Sequence, residues 1–264
     1  MLRLYGKFGV FVLIASLLAG CSWIGVSSKE EKQKQRSLRI GVTANYPPFV
    51  FKTYGKLLGA EIDLARLLGQ ALGTEIEFVE ERWEDLIPAL YAGKVDLIMS
   101  GISITEARKI RINFTEPYIK IGLLSAMRSD DVPKYTSRES ILNTTSWVGV
   151  MENTTGDVFV QKNLLRANRI AFQKISDAVF ALKQRKIELF VHDAPAVAWM
   201  ISENEASFQA YWELLNQEHL AWGIRYDDEE LLEMINGIIK SWKADGTLDR
   251  VLNRWLPYLK RLNK

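Results

Sequence analysis

The stretch VDLIMSGISITEAR at residues 95–108 decides the fold, because a short apolar run leads directly into a polar turn and the start of a helix. Residues 95–99 are mostly apolar and have the length of a buried parallel strand. Residues 100–103 follow the end of that strand, and Thr105 is a typical residue to begin a helix that contains Arg108. A strand that runs into a helix is the repeating unit of a parallel α/β layer.

The segments before this stretch show the same alternation of strands and helices. Apolar residues alternate over residues 38–42, as in a strand, and the pattern stops at Pro47. Residues 61–72 have helical spacing, residues 76–78 a second strand pattern, and residues 84–92 a second helix pattern. Because neighbouring parallel strands need crossover helices, this order predicts one α/β layer.

A second unit of the same kind begins at Trp147. The predicted strands are residues 147–150, 170–172 and 187–191, and the predicted helices are residues 155–168, 176–184 and 195–203. Ser176 is expected to cap its helix, and Pro195 to lie in the first turn of the next one. Residues 219–224 have a strand pattern, and helices at 229–242 and 248–259 end the chain. Each unit has about 90 residues, enough for its own core.

Composition and motifs exclude several classes of protein. The 264 residues are 48% hydrophobic and 25% charged, with a formal net charge of +2, so the chain is globular and lacks the basic excess of nucleic-acid-binding proteins. One Cys and two His cannot form a disulfide or a Cys/His zinc cluster. No glycine-rich phosphate loop and no serine nucleophile elbow occurs. We therefore expect no metal and no cofactor.

The first twenty residues have the pattern of an export signal. Arg3 and Lys7 precede an apolar run over residues 8–18, which is well short of the ~20 residues that span a bilayer. The ending Leu-Ala-Gly before Cys21 resembles a bacterial lipobox, so we expect cleavage after residue 20 and a lipid on Cys21. An ordinary signal peptide with a chance cysteine is the alternative. Residues 21–37 form a polar stretch that is typical of a solvated tether.

Several short motifs together resemble the polar amino acid solute-binding proteins of bacterial ABC importers, family 3. They extend over residues 38–256 and are YPPF at 46–49, GAEIDL at 59–64, VDLIMSG at 95–101, ITEAR at 104–108, FTEPY at 114–118, NTT at 153–155, VHD at 191–193 and GTL at 246–248, with Trp255 near the end. Their order and spacing are more specific than any single motif.

The resemblance implies an α/β fold of the type II periplasmic-binding-protein class. Each of its two lobes would hold a mixed, mostly parallel sheet flanked by helices, and two crossing strands would join the lobes. The implied boundaries are 38–125 plus 219–264 for the first lobe and 126–218 for the second. The family further implies a monomeric, non-enzymatic protein outside the cytoplasm that captures a free amino acid in the cleft and delivers it to a membrane permease.

The resemblance also places candidate ligand contacts, and their chemistry suits a zwitterion. Arg108 offers a fork of donors for the ligand carboxylate, with help from the backbone N–H and hydroxyl of Ser103. Thr155 opens a helix, where free N–H groups favour an anion. The carbonyl of Gly101 and the carboxylate of Asp193 would hold the ammonium. Taken alone, Arg108 could instead form a surface salt bridge and Asp193 could cap a helix.

Other candidate contacts would surround the ligand side chain. Tyr46 and Trp83 match the family's aromatic walls, although core packing is their alternative role. His192 is either a side-chain contact or a satisfied histidine at a strand end. Thr43 replaces an acidic residue of many cation-binding members, and Met151 replaces a polar contact. These two departures predict a neutral polar or aromatic amino acid in preference to arginine or lysine, unless Glu80 or Glu152 reaches the pocket.

Two other features bear on function. Glu61 and Asp63, which match the family motif G-x-E-x-D, are interpreted as structural or hinge-facing carboxylates of the first lobe rather than as ligand contacts. The rival function is that of a periplasmic cyclohexadienyl dehydratase, but Ala196 stands where those enzymes carry a catalytic Glu. A ligand-sensing domain for a signalling partner is a further alternative.

Overall fold

The computed structural model describes residues 37–258. The predicted signal segment at 1–20, Cys21, the tether apart from Ser37, and residues 259–264 lie outside the described residues. The strands, numbered β1 to β15 in chain order, are Leu38–Val42, Asn45–Tyr46, Val50–Thr53, Lys56–Leu58, Ile76–Glu80, Leu97–Ile98, Asn113–Phe114, Ile119–Ile121, Leu123–Arg128, Trp147–Met151, Asn168–Phe172, Leu189–Asp193, Phe208–Tyr211, Glu218–Leu220 and Gly223–Ile224.

The helices, numbered α1 to α9 in the same way, alternate with these strands. They are Ala60–Leu72, Leu86–Tyr91, Glu106–Lys109, Arg138–Leu142, Thr155–Asn163, Ile175–Lys183, Ala194–Ser202, Glu229–Ala244 and Thr247–Trp255, and two short 3-10 turns lie at Trp83–Asp85 and Ser129–Lys134. Within the described part of the chain, no helix is both long and apolar enough to span a bilayer.

The first lobe is built on a five-stranded sheet of order β5-β1-β6-β15-β7. The strands β5, β1 and β6 are parallel, as the alternation of elements predicts, whereas β15 runs antiparallel to both of its neighbours. Its cores lie on both faces of the sheet, one around Ile40 and Leu64, the other around Leu90 and Ile98. The long helix α1 buries its apolar stripe in the first of these cores and ends at Gly73, whose positive φ suits glycine.

The second lobe is built on a sheet of order β11-β10-β12-β9-β13. Here β11, β10 and β12 are parallel, and β9 and β13 complete the sheet in antiparallel pairs. Residue 125, at which the sequence placed the end of the first lobe, lies inside β9, and all of β9 belongs to this second sheet. Apolar side chains again pack on both faces, around Phe190 on one and Val150 on the other.

Two antiparallel strands, β8 and β14, connect the lobes. The chain leaves the first lobe through β8, enters the second at β9, and returns through β14, so these are the two expected crossing strands. The terminal helices α8 and α9 then pack on α1 and contribute Ile235 and Val251 to the first lobe's core.

Three local predictions are wrong in detail. Helix α5 ends at Asn163 rather than at residue 168, because the buried Leu164 leaves the helical conformation and the chain must reach β11. The N-cap of α6 is Lys174, and Ser176 lies within the helix. The strand expected over 219–224 is two strands in different sheets, since β14 pairs with β8 and β15 pairs with β6.

Candidate functional site

A cavity of about 450 Å³ lies between the two lobes, at the carboxyl ends of β1, β6, β10 and β12. Ligands of α/β proteins bind at this edge of a sheet, because the strand ends place loops and helix starts around a crevice. All ten of the candidate contacts line this one cavity: Thr43, Tyr46, Trp83, Gly101, Ser103, Arg108, Met151, Thr155, His192 and Asp193. The sequence therefore identified residues that meet in one cavity. Their binding of a ligand remains a prediction.

Arg108 presents a cation to this cavity. The hydroxyl of Thr105 caps α3 by accepting a hydrogen bond from the backbone N–H of Arg108 at 3.2 Å. The guanidinium donates to the carbonyl of Ser103 at 2.9 Å and lies 5.0 Å from the ring centre of Trp83. Burial lowers its pKa from the ordinary value, but a guanidinium stays charged in proteins. Among residues 37–258 no carboxylate lies within 4.0 Å of it, so the predicted alternative of a salt bridge is absent there.

Asp193 presents an anion at the end of β12. Its Oδ2 accepts a hydrogen bond from the hydroxyl of Tyr46, while its Oδ1 is buried and has no hydrogen-bond partner within the described part of the chain. Burial raises the pKa of Asp193 to about 6, although the Tyr46 hydroxyl and the Arg108 charge oppose the shift. Asp193 occupies the N-cap position of α7, as its alternative role required, but its carboxylate makes no capping hydrogen bond there. An unsatisfied buried oxygen of this kind costs about 1–3 kcal/mol until a donor arrives.

Gly101 forms the floor of the cavity in a backbone conformation that favours glycine. Its φ is +63°, and a Cβ there would lie 2.1 Å from Cε1 of Tyr46. Its N–H donates to Oε2 of Glu61 at 2.5 Å, and the same carboxyl group accepts from Tyr118 and Trp222. Burial raises the pKa of Glu61 to about 7, and these three donors oppose the shift. Glu61 thus has the structural role expected from the sequence.

The hydroxyl of Ser103 is already engaged by a residue that the sequence analysis missed. It donates to Oε2 of Glu218 at 2.6 Å, and Asn216 donates to the other carboxylate oxygen at 2.7 Å. The signal that could have found Glu218 is a single acid at the start of an otherwise strand-like run. Thr155 begins α5 as predicted, but the N-cap is Thr154, whose hydroxyl accepts from the backbone of Asp157.

The aromatic candidates bring the two lobes into contact around the cavity. Tyr46 is buried, and its ring centre lies 5.3 Å from that of Phe49 and 5.4 Å from that of His192. The indole N–H of Trp83 in the first lobe donates to the carbonyl of Asn153 in the second at 3.1 Å. Together with the bond between Tyr46 and Asp193, this contact holds the cleft in a closed arrangement.

The remaining candidates that line the cavity are uncharged. His192 is buried, its Nδ1 has no hydrogen-bond partner in the region described, and burial lowers its pKa to about 4, so the ring is neutral at neutral pH. The hydroxyl of Thr43 donates to the carbonyl of Glu81 at 3.1 Å. Met151 ends β10 and is buried. None of these three side chains carries a charge that could pair with a cationic group.

Four glutamates also line the cavity, and each contacts a neighbouring side chain. Glu80 lies 2.6 Å from the ammonium of Lys52, Glu84 lies 3.0 Å from Arg82, and Glu81 contacts Lys94. Glu152 is exposed and accepts from the amide of Gln173 at 3.3 Å. Glu80 and Glu152, the two glutamates that could reverse the specificity prediction, therefore reach the cavity; Glu80 has a basic partner, whereas Glu152 has only a neutral one.

Comparisons with known proteins agree with this architecture. The family model described as bacterial extracellular solute-binding proteins, family 3, matches residues 38–258. The ABC transporter arginine-binding protein 1 of Escherichia coli K12 is 26% identical over 251 residues, covering 93% of this chain and 98% of that protein. The histidine-binding periplasmic protein of Salmonella typhimurium is 29% identical over 235 residues, covering 84% of this chain and 88% of that protein.

A solved structure extends the likeness to three dimensions and confirms the predicted fold class. It is an ancestral amino acid-binding protein described as a precursor of cyclohexadienyl dehydratase, with a TM-score of 0.78 and 33% identity over 83% of this chain and 95% of that chain. The expected catalytic position of a dehydratase is the buried Ala196, which has no titratable group. The chain therefore belongs to the bacterial extracellular solute-binding proteins of family 3, a family of binding proteins rather than enzymes.

Proposed function

We propose that the protein captures one free amino acid in the interlobe cleft for an ABC importer. The observation that carries this proposal is a pair of opposite, unsatisfied charges in one cavity. Arg108 has no carboxylate partner within the described residues, and Asp193 keeps one buried oxygen without a donor. A zwitterionic ligand supplies the missing carboxylate and the missing ammonium at once, so its binding relieves both costs. The names of the arginine-binding and histidine-binding relatives support the same ligand class.

The rest of the cavity lining supports a neutral polar or aromatic side chain on that amino acid. Glu80, Glu81 and Glu84 along the wall have basic partners, and Glu152 is exposed and accepts from a neutral amide. The other buried candidates are an uncharged histidine, a threonine and a methionine. A buried ammonium or guanidinium without a counter-charge is costly, and cation–π attraction returns only about 2 kcal/mol. The names of the arginine-binding and histidine-binding relatives support the competing expectation, which is that arginine or histidine is the ligand.

The cellular setting in this proposal is the periplasm or the outer face of the cytoplasmic membrane. The family and the periplasmic name of the Salmonella relative support an extracytoplasmic place. The lipid on Cys21 rests on the lipobox pattern alone, since Cys21 lies outside the described part of the chain. Delivery to a permease rests on the family resemblance.

A thermal-shift screen of the common amino acids tests the proposal directly. A ligand at about 100 times its Kd stabilises the folded state by about 2.7 kcal/mol, which is a readily measured rise in Tm. We expect one neutral amino acid, or a few, to raise the Tm. A screen without any hit would contradict amino acid capture. A competition titration in which arginine displaces every neutral amino acid would instead contradict the specificity alone.

A further inference from the structure

Glu218 lies just behind the candidate site and has no role assigned by the family resemblance. It begins β14, the second crossing strand, and only 9% of its surface is exposed. A buried carboxylate is expensive unless several donors surround it. Its environment therefore shows which parts of the molecule it holds together.

The donors to Glu218 come from the first lobe and from the connector, residues 212–217, that joins β13 to β14. Ser103 of the first lobe donates to Oε2 at 2.6 Å, and Asn216 of the connector donates to Oε1 at 2.7 Å. Oδ1 of Asn216 in turn accepts from the backbone N–H of Leu123, the first residue of β9 in the second lobe, at 2.8 Å. Thr155, at the start of α5 in the second lobe, lines the same crevice as Glu218. Burial raises the pKa of Glu218, and the Ser103 and Asn216 donors oppose the rise.

These contacts determine how Ser103 faces the cavity. Because its hydroxyl hydrogen is directed at Glu218, the donors that this segment leaves for an anion are its backbone N–H groups, together with those at the start of α5. The negative charge of Glu218 also acts on Arg108 and favours its charged form. Glu218 does not line the cavity itself, so its effect on a ligand passes through these neighbours.

We propose that Glu218 is a positioning residue: its buried carboxylate, on the crossing strand, holds Ser103 of the first lobe beside Thr155 of the second, in the arrangement that receives the ligand carboxylate. This inference rests on the proposed function for the identity of the ligand, but the positioning of the two segments is independent of any ligand.

The variants that test it differ only in the carboxylate. Glu218→Gln keeps one acceptor oxygen and removes the charge, and Glu218→Ala removes both. Glu213→Gln is the matched control, since Glu213 lies in the same connector, is exposed, and accepts a hydrogen bond from Tyr211 at 2.7 Å. All three are made in the full chain, and their circular dichroism is compared with that of the wild type.

Hydrogen–deuterium exchange of the ligand-free protein gives the first readout. We expect amides in residues 101–105 and 154–158 to exchange about fivefold faster or more in Glu218→Ala, because Ser103 loses its acceptor and is no longer held beside the start of α5. Glu218→Gln should show a smaller increase in the same two segments, and Glu213→Gln none. Unchanged exchange in both segments of Glu218→Ala would overturn the proposal. If that variant does not fold, the exchange of Glu218→Gln decides in the same way.

Calorimetry with the amino acid that gives the largest thermal shift provides the second readout. We expect Glu218→Gln to bind about tenfold more weakly, and Ser103→Ala to add little further loss in the double variant. Losses that simply multiply would show that Glu218 does not act through Ser103 and would overturn the proposal. If the wild type bound no amino acid, the proposed function would fail, while the exchange comparison would still decide the role of Glu218.

Discussion

At the scale of single residues, the site is defined by charges that the fold leaves unsatisfied. Arg108 and Asp193 face one cavity from opposite lobes, and neither has an ion-pair partner within 4.0 Å in the described chain. Burial raises the pKa of Asp193 to about 6, so the charged form of this carboxyl group is costly at its buried position. The unpaired charge of Arg108 leads to a prediction for ligand binding, and the buried charge of Asp193 leads to a prediction for stability.

Removing the Arg108 side chain should weaken binding of the ligand. In Arg108→Ala the ligand carboxylate becomes a buried charge without its partner, so we expect a loss of about 2–5 kcal/mol in binding free energy by calorimetry. Arg111→Ala is the control, because Arg111 is exposed on the same segment outside the cavity. Near-normal affinity in Arg108→Ala would show that the carboxylate binds elsewhere.

Removing the Asp193 charge should stabilise the ligand-free protein at neutral pH. The folded-state pKa of about 6 exceeds the ordinary value of 3.8, so the folded state holds the proton more tightly and stability falls as pH rises from about 4 to 6. Asp193→Asn escapes this fall, and we expect its free energy of unfolding at pH 7.5 to exceed that of the wild type by about 1–3 kcal/mol. Urea unfolding at pH 4 and pH 7.5 measures it. A variant less stable than the wild type at pH 7.5 would contradict the account.

At the scale of secondary-structure elements, the ends of strands carry the site. The turn after β6 brings Gly101 against the ring of Tyr46, and the start of α3 directs Arg108 back over the carbonyl of Ser103. The short stretch at residues 95–108 thus supplies three of the candidate contacts.

Substituting Gly101 should disturb the site more than an equivalent change elsewhere. Gly101 and Gly93 have similar φ values of +63° and +66°, but a Cβ at Gly101 meets Tyr46 whereas a Cβ at Gly93 meets nothing within 4 Å. Gly93→Ala should cost about 1 kcal/mol of stability through backbone strain alone. Gly101→Ala should cost about 1–3 kcal/mol more and also weaken binding. Equal effects in chemical unfolding and calorimetry would show that the contact with Tyr46 is unimportant.

Sequence patterns predicted the elements better than their ends and their side-chain directions. Alternating apolar residues located β1, and helical spacing located α1, because burial on one face leaves a periodic trace. Ser176 is not the cap of α6, because the helix already starts at Ile175 and the extended residue before it is Lys174. Glu218 was missed because a periodic pattern does not show which donors surround an acid. The partners of Glu80 also depend on long-range packing, since Lys52 lies on a different strand.

At the scale of the whole molecule, the two lobes close on the cavity through contacts that involve residues of both. Tyr46 bonds to Asp193 and Trp83 to Asn153, while Phe51 and Trp199 bring their ring centres to 5.4 Å outside the cavity. A bound zwitterion would add attraction between the lobes and favour this closed arrangement.

The N-terminal pattern leads to a prediction about location. If Cys21 carries lipid, then Cys21→Ser should appear in the soluble fraction or as an unprocessed chain, because the anchor is lost. Fractionation with immunoblotting distinguishes these forms. A processed Cys21→Ser protein that still fractionates with membranes would contradict the lipobox interpretation.

The central claim is that one cavity holds both charges of a single zwitterion. Calorimetry can test this with three compounds that share a side chain: the free amino acid with the largest thermal shift, its α-amide, and its N-acetyl derivative. The α-amide lacks the carboxylate for Arg108, and the N-acetyl form lacks the ammonium for Asp193. We predict that each derivative binds weaker than the free amino acid by about 2 kcal/mol or more. Equal affinity of either derivative would contradict the account.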